Sequence, residues 1–156
     1  LRAYRDGAGW AIGFGINHPG IHEGDTITFD QAFADFKAAH RERARILRAW
    51  IKVPLKQHEF DALCDFIYND GNVNARRVIR LLNAASVSDA LDVLMRSNKD
   101  SPTLGDGLKR RREFERQLFE TGQYGDLSTI KVWRSGNPRD RKNPPEIYKI
   151  KTEDFS

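Results

Sequence analysis

The chain has 156 residues, 31% of them charged and 39% hydrophobic, with a net charge of +4 and one cysteine. Such a length and composition fit one globular domain and exclude a disordered chain; the lone Cys64 excludes an internal disulfide, and no apolar run reaches the roughly 20 residues of a membrane-spanning helix. The mild basic excess suits a polyanion without choosing among nucleic acid, anionic lipid and bacterial wall polymers.

Residues 1–27 are rich in glycine and aromatics. Short apolar runs such as Trp10-Ala11-Ile12-Gly13-Phe14, punctuated by glycines and by Asn17-His18-Pro19-Gly20, predict a small β-hairpin or three-stranded sheet. Thr28 with Gln31 has the pattern of a capping box, which opens a helix. Phe29, Phe33, Phe36, His40, Leu47 and Trp50 keep helical spacing to about Trp50, and Pro54 closes the segment. A second helix is predicted over Gln57–Tyr68, with Phe60, Leu63, Cys64 and Ile67 on one stripe and Gly71 suited to a left-handed cap. Val78, Ile79, Leu81 and Leu82 mark a short helix ending near Asn83. Another runs over Ser88–Ser97 with Ser88 as N-cap, and the last over Leu104–Thr121 with Gly122 beyond it. Residues 130–156 hold three of the six prolines and a basic run from Arg134 to Asn143, and read as an extended tail.

The architecture expected is therefore α+β: a small N-terminal sheet, then a larger helical part, then the tail. Asp6 stands beside Gly7 among glycines and aromatics. Asp-Gly is a hairpin-turn signal, so a turn role suffices for Asp6. The glycines around it give the second reading. Gly13 and Gly15 remove side chains from a strand, which weakens it unless something approaches closely, and a long polysaccharide is one such thing. Gly13-Phe14-Gly15 is no dinucleotide fingerprint, because the third glycine position is His18. Asp70-x-Asn72-x-Asn74 opens like a calcium loop but has Ala75 and Leu81 where Gly and Glu are needed. His18, His22, His40 and His58 lack metal-ligand spacing, and Cys64 belongs to a core stripe. No metal and no cofactor is expected. Lys109-Arg110-Arg111-Arg112 and the set Arg76, Arg77, Arg80 are solvated faces, phosphate contacts, or arginines turned inward onto a carboxylate.

Five blocks in order resemble one family. Tyr4-Arg5-Asp6 with Ile12-Gly13-Phe14-Gly15 is similar to the catalytic hairpin of the phage-type lysozymes, the endolysin glycoside hydrolases. Gly24-Asp25-Thr26-Ile27-Thr28 with Gln31-Ala32 resembles their entry into the first long helix. Leu55-x-Gln57-x-Glu59-Phe60-Asp61-Ala62-Leu63, then Phe66-x-Tyr68-Asn69-x-Gly71, resembles their central helix. Leu81-Leu82-Asn83 resembles a third block, and Gly107-Leu108-x-Arg110-Arg111 with Glu115 and Phe119-x-x-Gly122 the closing helix.

The resemblance implies a lysozyme-like domain over residues 1–125 with a basic, Pro-containing tail over 126–156. It implies a muramidase that cuts the β-1,4 bond between N-acetylmuramic acid and N-acetylglucosamine. Two carboxyl groups would flank that bond, one protonated and one ionised. Asp6 matches the family's Asp, which positions or activates water. Gly13, Gly15, Tyr68 and Asn69 would line the sugar cleft, and Arg111 would hold the family's general-acid Glu. That Glu lies nine residues before the Asp, ahead of Leu1, so a longer protein carrying it is expected. Glu23 is the substitute acid within the chain. Ala11 replaces the family's Thr before Ile-Gly, and Ile16 a His, with His18 offset by two.

Peptidoglycan is the partner expected, with neither nucleic acid nor stable membrane insertion; other domains or a delivery apparatus at either end are left open. Action in the bacterial periplasm or wall after production in the host cytoplasm follows from the same resemblance. The rival readings are a degenerate lysozyme that binds wall without cutting it and, more distantly, a basic helical nucleic-acid binder.

Overall fold

A computed structural model describes residues 1–7, 9–97, 105–135 and 142–150. Ala8, the expected helix start at Leu104 and the middle of the basic run lie outside them. The chain divides into two units, Leu1–Ala38 with Gly125–Ser156, and Ala39–Tyr124.

In the first unit β1 (Tyr4–Asp6), β2 (Gly9–Ile12) and β3 (Ile16–Asn17) form an antiparallel sheet in the order β1-β2-β3. The register pairs Tyr4 with Ala11, Arg5 with Trp10 and Asp6 with Gly9, so Asp6 ends β1 opposite the start of β2. The expected small sheet is thus present. Gly13, Phe14 and Gly15 make the turn from β2 to β3.

Helix α1 (Phe29–Trp50) starts where Thr28 predicted it should. Thr28 Oγ1 accepts the Gln31 N–H at 3.1 Å. The reciprocal half of the capping box is not made, because Gln31 Nε2 donates forward to Asp35 Oδ1 at 2.9 Å. The β2–β3 turn docks on the start of α1 in two ways. The Phe14 ring meets Phe29, Phe33 and Phe36 edge-on, at centroid distances of 5.8, 6.4 and 5.5 Å. Gly13 has φ +62°, and a Cβ there would stand 2.9 Å from Ala32 Cβ. What approaches Gly13 closely is the protein's own helix.

The segment after Gly125 is extended, as expected, but paired: β4 (Thr129–Val132) and β5 (Glu146–Lys149) form an antiparallel ribbon. It joins the first unit through the Arg2 N–H, which donates to the Arg134 carbonyl at 3.0 Å. Tyr148 packs on Phe29 at 4.4 Å.

The second unit holds the rest of α1, then α2 (Gln57–Asp70), α3 (Asn72–Asn83), α4 (Val87–Arg96) and α5 (Gly105–Thr121). Leu63, Phe66, Val78, Leu82, Leu94 and Phe119 belong to one buried core. Cys64 joins it, its thiol pushed up to about 12 by burial and then by Asp61, so it is an inert core residue as expected. Helix α3 begins six residues before the apolar positions that announced it, because its first turns are polar. It follows α2 directly through Gly71, whose φ of 82° and ψ of −171° lie outside the left-handed helical cap expected of it. The N-cap of α4 is Ser86 rather than Ser88: Ser86 Oγ donates to Asp89 Oδ2 at 2.6 Å.

Gly13→Ala should destabilise the protein by about 2–4 kcal/mol, from overpacking against Ala32 plus the positive φ. Urea denaturation at constant m measures it; an unchanged midpoint would dissociate the turn from α1.

Candidate functional site

The residues singled out from sequence fall into two groups. Asp6, Gly13 and Gly15 lie in the first unit. Asp6 and Gly15 are exposed. Tyr4, two residues before Asp6 and on the same face of β1, has its phenol pKa raised by burial and then by the Asp6 charge. Across the hairpin the Arg5 guanidinium lies 5.2 Å from the Trp10 ring centroid.

Tyr68, Asn69 and Arg111 come together in the second unit, where α2 meets α5. Three residues not chosen from sequence accompany them: Asp65, Arg112 and Asp70. Arg111 forks onto Asp65, with Nε to Oδ2 at 3.1 Å and Nη2 to Oδ1 at 2.5 Å. Burial lowers the Arg111 pKa, but the Asp65 charge and hydrogen bonds outweigh it, and the net shift is upward. The arginine turned fully inward is its neighbour. Arg112 is 0% exposed, and its Nη2 donates to Asn69 Oδ1 at 2.7 Å and to Glu115 Oε1 at 2.6 Å. Asp70 Oδ1 stands 3.8 Å from Arg112 Nη1, and the Phe66 ring centroid 4.8 Å from its Cζ. Tyr68 stacks on His40 of α1 at 4.5 Å. Burial keeps the His40 pKa below its usual value despite Asp65.

Glu115 is also 0% exposed. Two effects oppose each other at its carboxyl. Burial favours the neutral acid, with Asp65 adding to it; the Arg112 and Arg111 charges favour the carboxylate. Burial prevails, and the pKa is pushed up to about 9. Charge balance agrees: Asp65, Asp70 and Glu115 face two guanidiniums, Arg111 and Arg112, which leaves one acid to hold a proton. The nearby Asp65 carboxylate favours placing that proton on Glu115. Guanidinium groups keep their own protons even when buried, so the extra proton resides on the acid.

The sequence did carry a signal for this cluster. On α5, Arg112 and Glu115 share the helical stripe of Leu118 and Phe119, which are core residues. Charges on a buried stripe require partners, and Asn69 and Asp70 on the facing helix are turned towards Arg112. Among the described residues no group of three or more His, Cys, Asp or Glu side chains is arranged to hold a metal ion.

A profile of the phage lysozyme family matches residues 1–115. The chain belongs to the phage lysozyme family. This lysozyme is 34% identical over 128 residues to the endolysin of Acyrthosiphon pisum secondary endosymbiont phage 1, covering 78% of this chain and 87% of that one. Among solved structures, the endolysin from Escherichia coli O157:H7 phage FAHEc1 is similar with a TM-score of 0.68 at 30% identity, over 81% of this chain and 86% of that chain. The muramidase domain of SpmX from Asticaccaulis excentricus gives a TM-score of 0.66 at 26% identity, over 77% and 86%. The α+β lysozyme fold expected from sequence is therefore the fold found. Family membership makes the chain a lysozyme-type glycoside hydrolase of peptidoglycan, a substrate of the cell wall. Among its described residues no helix is long and apolar enough to cross a membrane.

Because the folded-state pKa of Glu115 lies above its ordinary value of 4.5, the stability it contributes is complete below about pH 4.5 and is lost as pH rises towards about 9. Glu115→Gln, which resembles the neutral acid, should flatten this part of the pH dependence of the urea midpoint between pH 5 and 9. An identical slope in wild type and variant would mean that Glu115 is ionised. Glu115→Ala, which leaves the Arg112 Nη2 donor without that acceptor, should cost about 3 kcal/mol.

Proposed function

We propose that this lysozyme hydrolyses the β-1,4 bond between N-acetylmuramic acid and N-acetylglucosamine, with Asp6 as the carboxylate that positions or activates the attacking water. The observation that carries the reading is the placement of Asp6: exposed, at the end of β1 and next to Gly7, in a sheet whose β2–β3 turn is docked on α1. A carboxylate on a rigid strand end is held for geometry rather than left to a mobile loop. In this scheme the exposed Gly15 keeps the neighbouring turn free of a side chain, so that a sugar chain can lie close to the backbone, while Gly13 acts indirectly by seating that turn on α1.

Tyr68 and Asn69 line the sugar-binding surface from the last turn of α2, one stacked on His40 and the other held by Arg112. Arg111, with about a third of its side chain exposed, is the guanidinium available to a second carboxyl group, and its fork onto Asp65 fixes its direction. Glu115 does not serve as the general acid. It is protonated at neutral pH but wholly buried, so it cannot reach a glycosidic oxygen. The work is done in the periplasm or wall of a bacterium, after production in the host cytoplasm.

A second reading, a wall-binding form that does not cut, is favoured by one observation. Ala11, at the position where the family pattern has a Thr, is 0% exposed and offers no hydroxyl to water or sugar.

Asp6→Asn in the complete protein should lower hydrolysis of purified peptidoglycan by about 10²–10⁴-fold, the usual worth of a positioned acid–base group. Release of soluble muropeptides, followed by mass spectrometry, measures it. A circular dichroism spectrum and urea midpoint matching the wild type's provide the control for folding. Undiminished turnover in the variant would remove Asp6 from the mechanism. Retention of the wild-type chain on insoluble wall, with no fragments released, would favour the binding form.

A further inference from the structure

The second unit carries a pocket that shares no residue with the chemistry proposed above. Its volume is about 370 Å³, within the range of small-ligand sites, and Trp50, Lys52, Arg76, Ile79, Arg80 and Asn83 line it. Arg76 and Arg80 stand one turn apart on α3, and Lys52 follows the end of α1, so three cations converge on one concavity. Among the described residues no acidic side chain lines it. Among the described residues none of the three cations forms an ion pair, whereas arginines elsewhere in the unit do.

The floor is built rather than incidental. Asn83 Oδ1 accepts the Lys52 N–H at 2.7 Å, and its Nδ2 donates to the Trp50 carbonyl at 2.9 Å. The Arg76 guanidinium lies 4.5 Å from the Trp50 ring centroid. A cation at the C-terminal end of a helix complements the helix dipole, and this accounts for Lys52 after α1 and Arg80 in the last turn of α3. It does not account for Arg76, which lies in the first half of α3.

Three like charges held together are relieved by an anion carrying more than one charge or repeating along a chain. A lone carboxylate leaves two cations unmatched, whereas the phosphates of a polymer or an anionic membrane repeat, and each offers oxygens to guanidinium and ammonium together. The pocket also has an apolar side, from Ile79 and the Trp50 ring, which suits a short carbon linker. It is ill suited to a nucleobase: the Asn83 amide is used on both sides, and the Trp50 ring already carries Arg76.

We propose that Lys52, Arg76 and Arg80 bind glycerol phosphate, the unit shared by phosphate-bearing wall polymers and by the phosphatidylglycerol headgroup. The preference for phosphate rests on the pocket alone; the choice of an envelope polyol rests on the wall-cutting reading above. The site tethers the enzyme to the anionic envelope while the sugar chain is cut.

The test is direct binding, with no turnover, so its failure leaves the hydrolase reading untouched. The indole N–H of Trp50 is followed by NMR while glycerol 3-phosphate, a short poly(glycerol phosphate) or sodium chloride of matched ionic strength is added. Trp10 and Trp133 serve as internal controls. Sedimentation with phosphatidylglycerol vesicles, against phosphatidylcholine vesicles, completes the set. A saturable shift confined to Trp50, weakened about tenfold in R80Q and in K52Q, is expected, each variant losing one charge-assisted hydrogen bond. Both side chains are exposed, so the fold tolerates their exchange. Binding of the soluble polymer, or of the vesicles alone, identifies the source of the phosphate. Shifts reproduced by chloride, shifts unchanged in both variants, or tighter binding of single-stranded DNA through the same residues would overturn the proposal.

Discussion

The guanidinium of Arg112, wholly withdrawn from water, is the constraint on which the helical unit depends. A buried charge costs several kcal/mol, which its partners must offset. Here the partners come from two helices, Glu115 from α5 itself and Asn69 from the last turn of α2. A hydrophobic interface tolerates sliding by a fraction of a residue. A pair of hydrogen bonds at 2.6 and 2.7 Å does not. The register of α2 against α5, and with it the direction of Tyr68 and Asn69, is set by this polar knot. Apolar packing by Leu63, Phe66 and Phe119 supplies the free energy around it.

The first unit solves the same problem with different means. Its small sheet has few buried residues, and Asp6 lies on its outer edge. Order comes from close approach: a glycine where a Cβ has no room, and an aromatic ring held edge-on by three others. The ribbon of β4 and β5 adds to that unit through a backbone hydrogen bond to Arg2 and through Tyr148 on Phe29. Polar knot and steric dock serve the same end, a side chain whose position survives thermal motion.

Periodicity made the helices legible, since long amphipathic stripes such as that of α2 leave little choice. It failed at α3, where Asn72, Asn74, Arg76 and Arg77 hide the first turns, and at the N-cap of α4, where two serines two residues apart competed. The hairpin was legible from Asp-Gly and the glycine spacing, and Asp6 emerged with it. Which arginine turns inward was not legible from charge. Four cations in a row look alike as letters, and only the facing helix decides that Arg112 enters the core while Arg111 stays at its margin. The tail read as extended because its strands are short, and strand pairing over a gap is a long-range property that local pattern does not carry.

The division of the chain also bears on its synthesis. Residues 39–124 form one uninterrupted unit, whereas the other is assembled from Leu1–Ala38 and from sequence that follows Gly125. On a ribosome the helical unit has all its residues as soon as Tyr124 emerges, and its contacts between neighbouring helices are local enough to form quickly. The hairpin that bears Asp6 must wait for β4 and β5, made more than a hundred residues later, before its own unit is complete. The carboxylate on which hydrolysis is proposed to depend thus belongs to the later of these two units to be completed. A chain interrupted before β4 would carry a complete helical unit and an incomplete hairpin unit, and so no finished setting for Asp6.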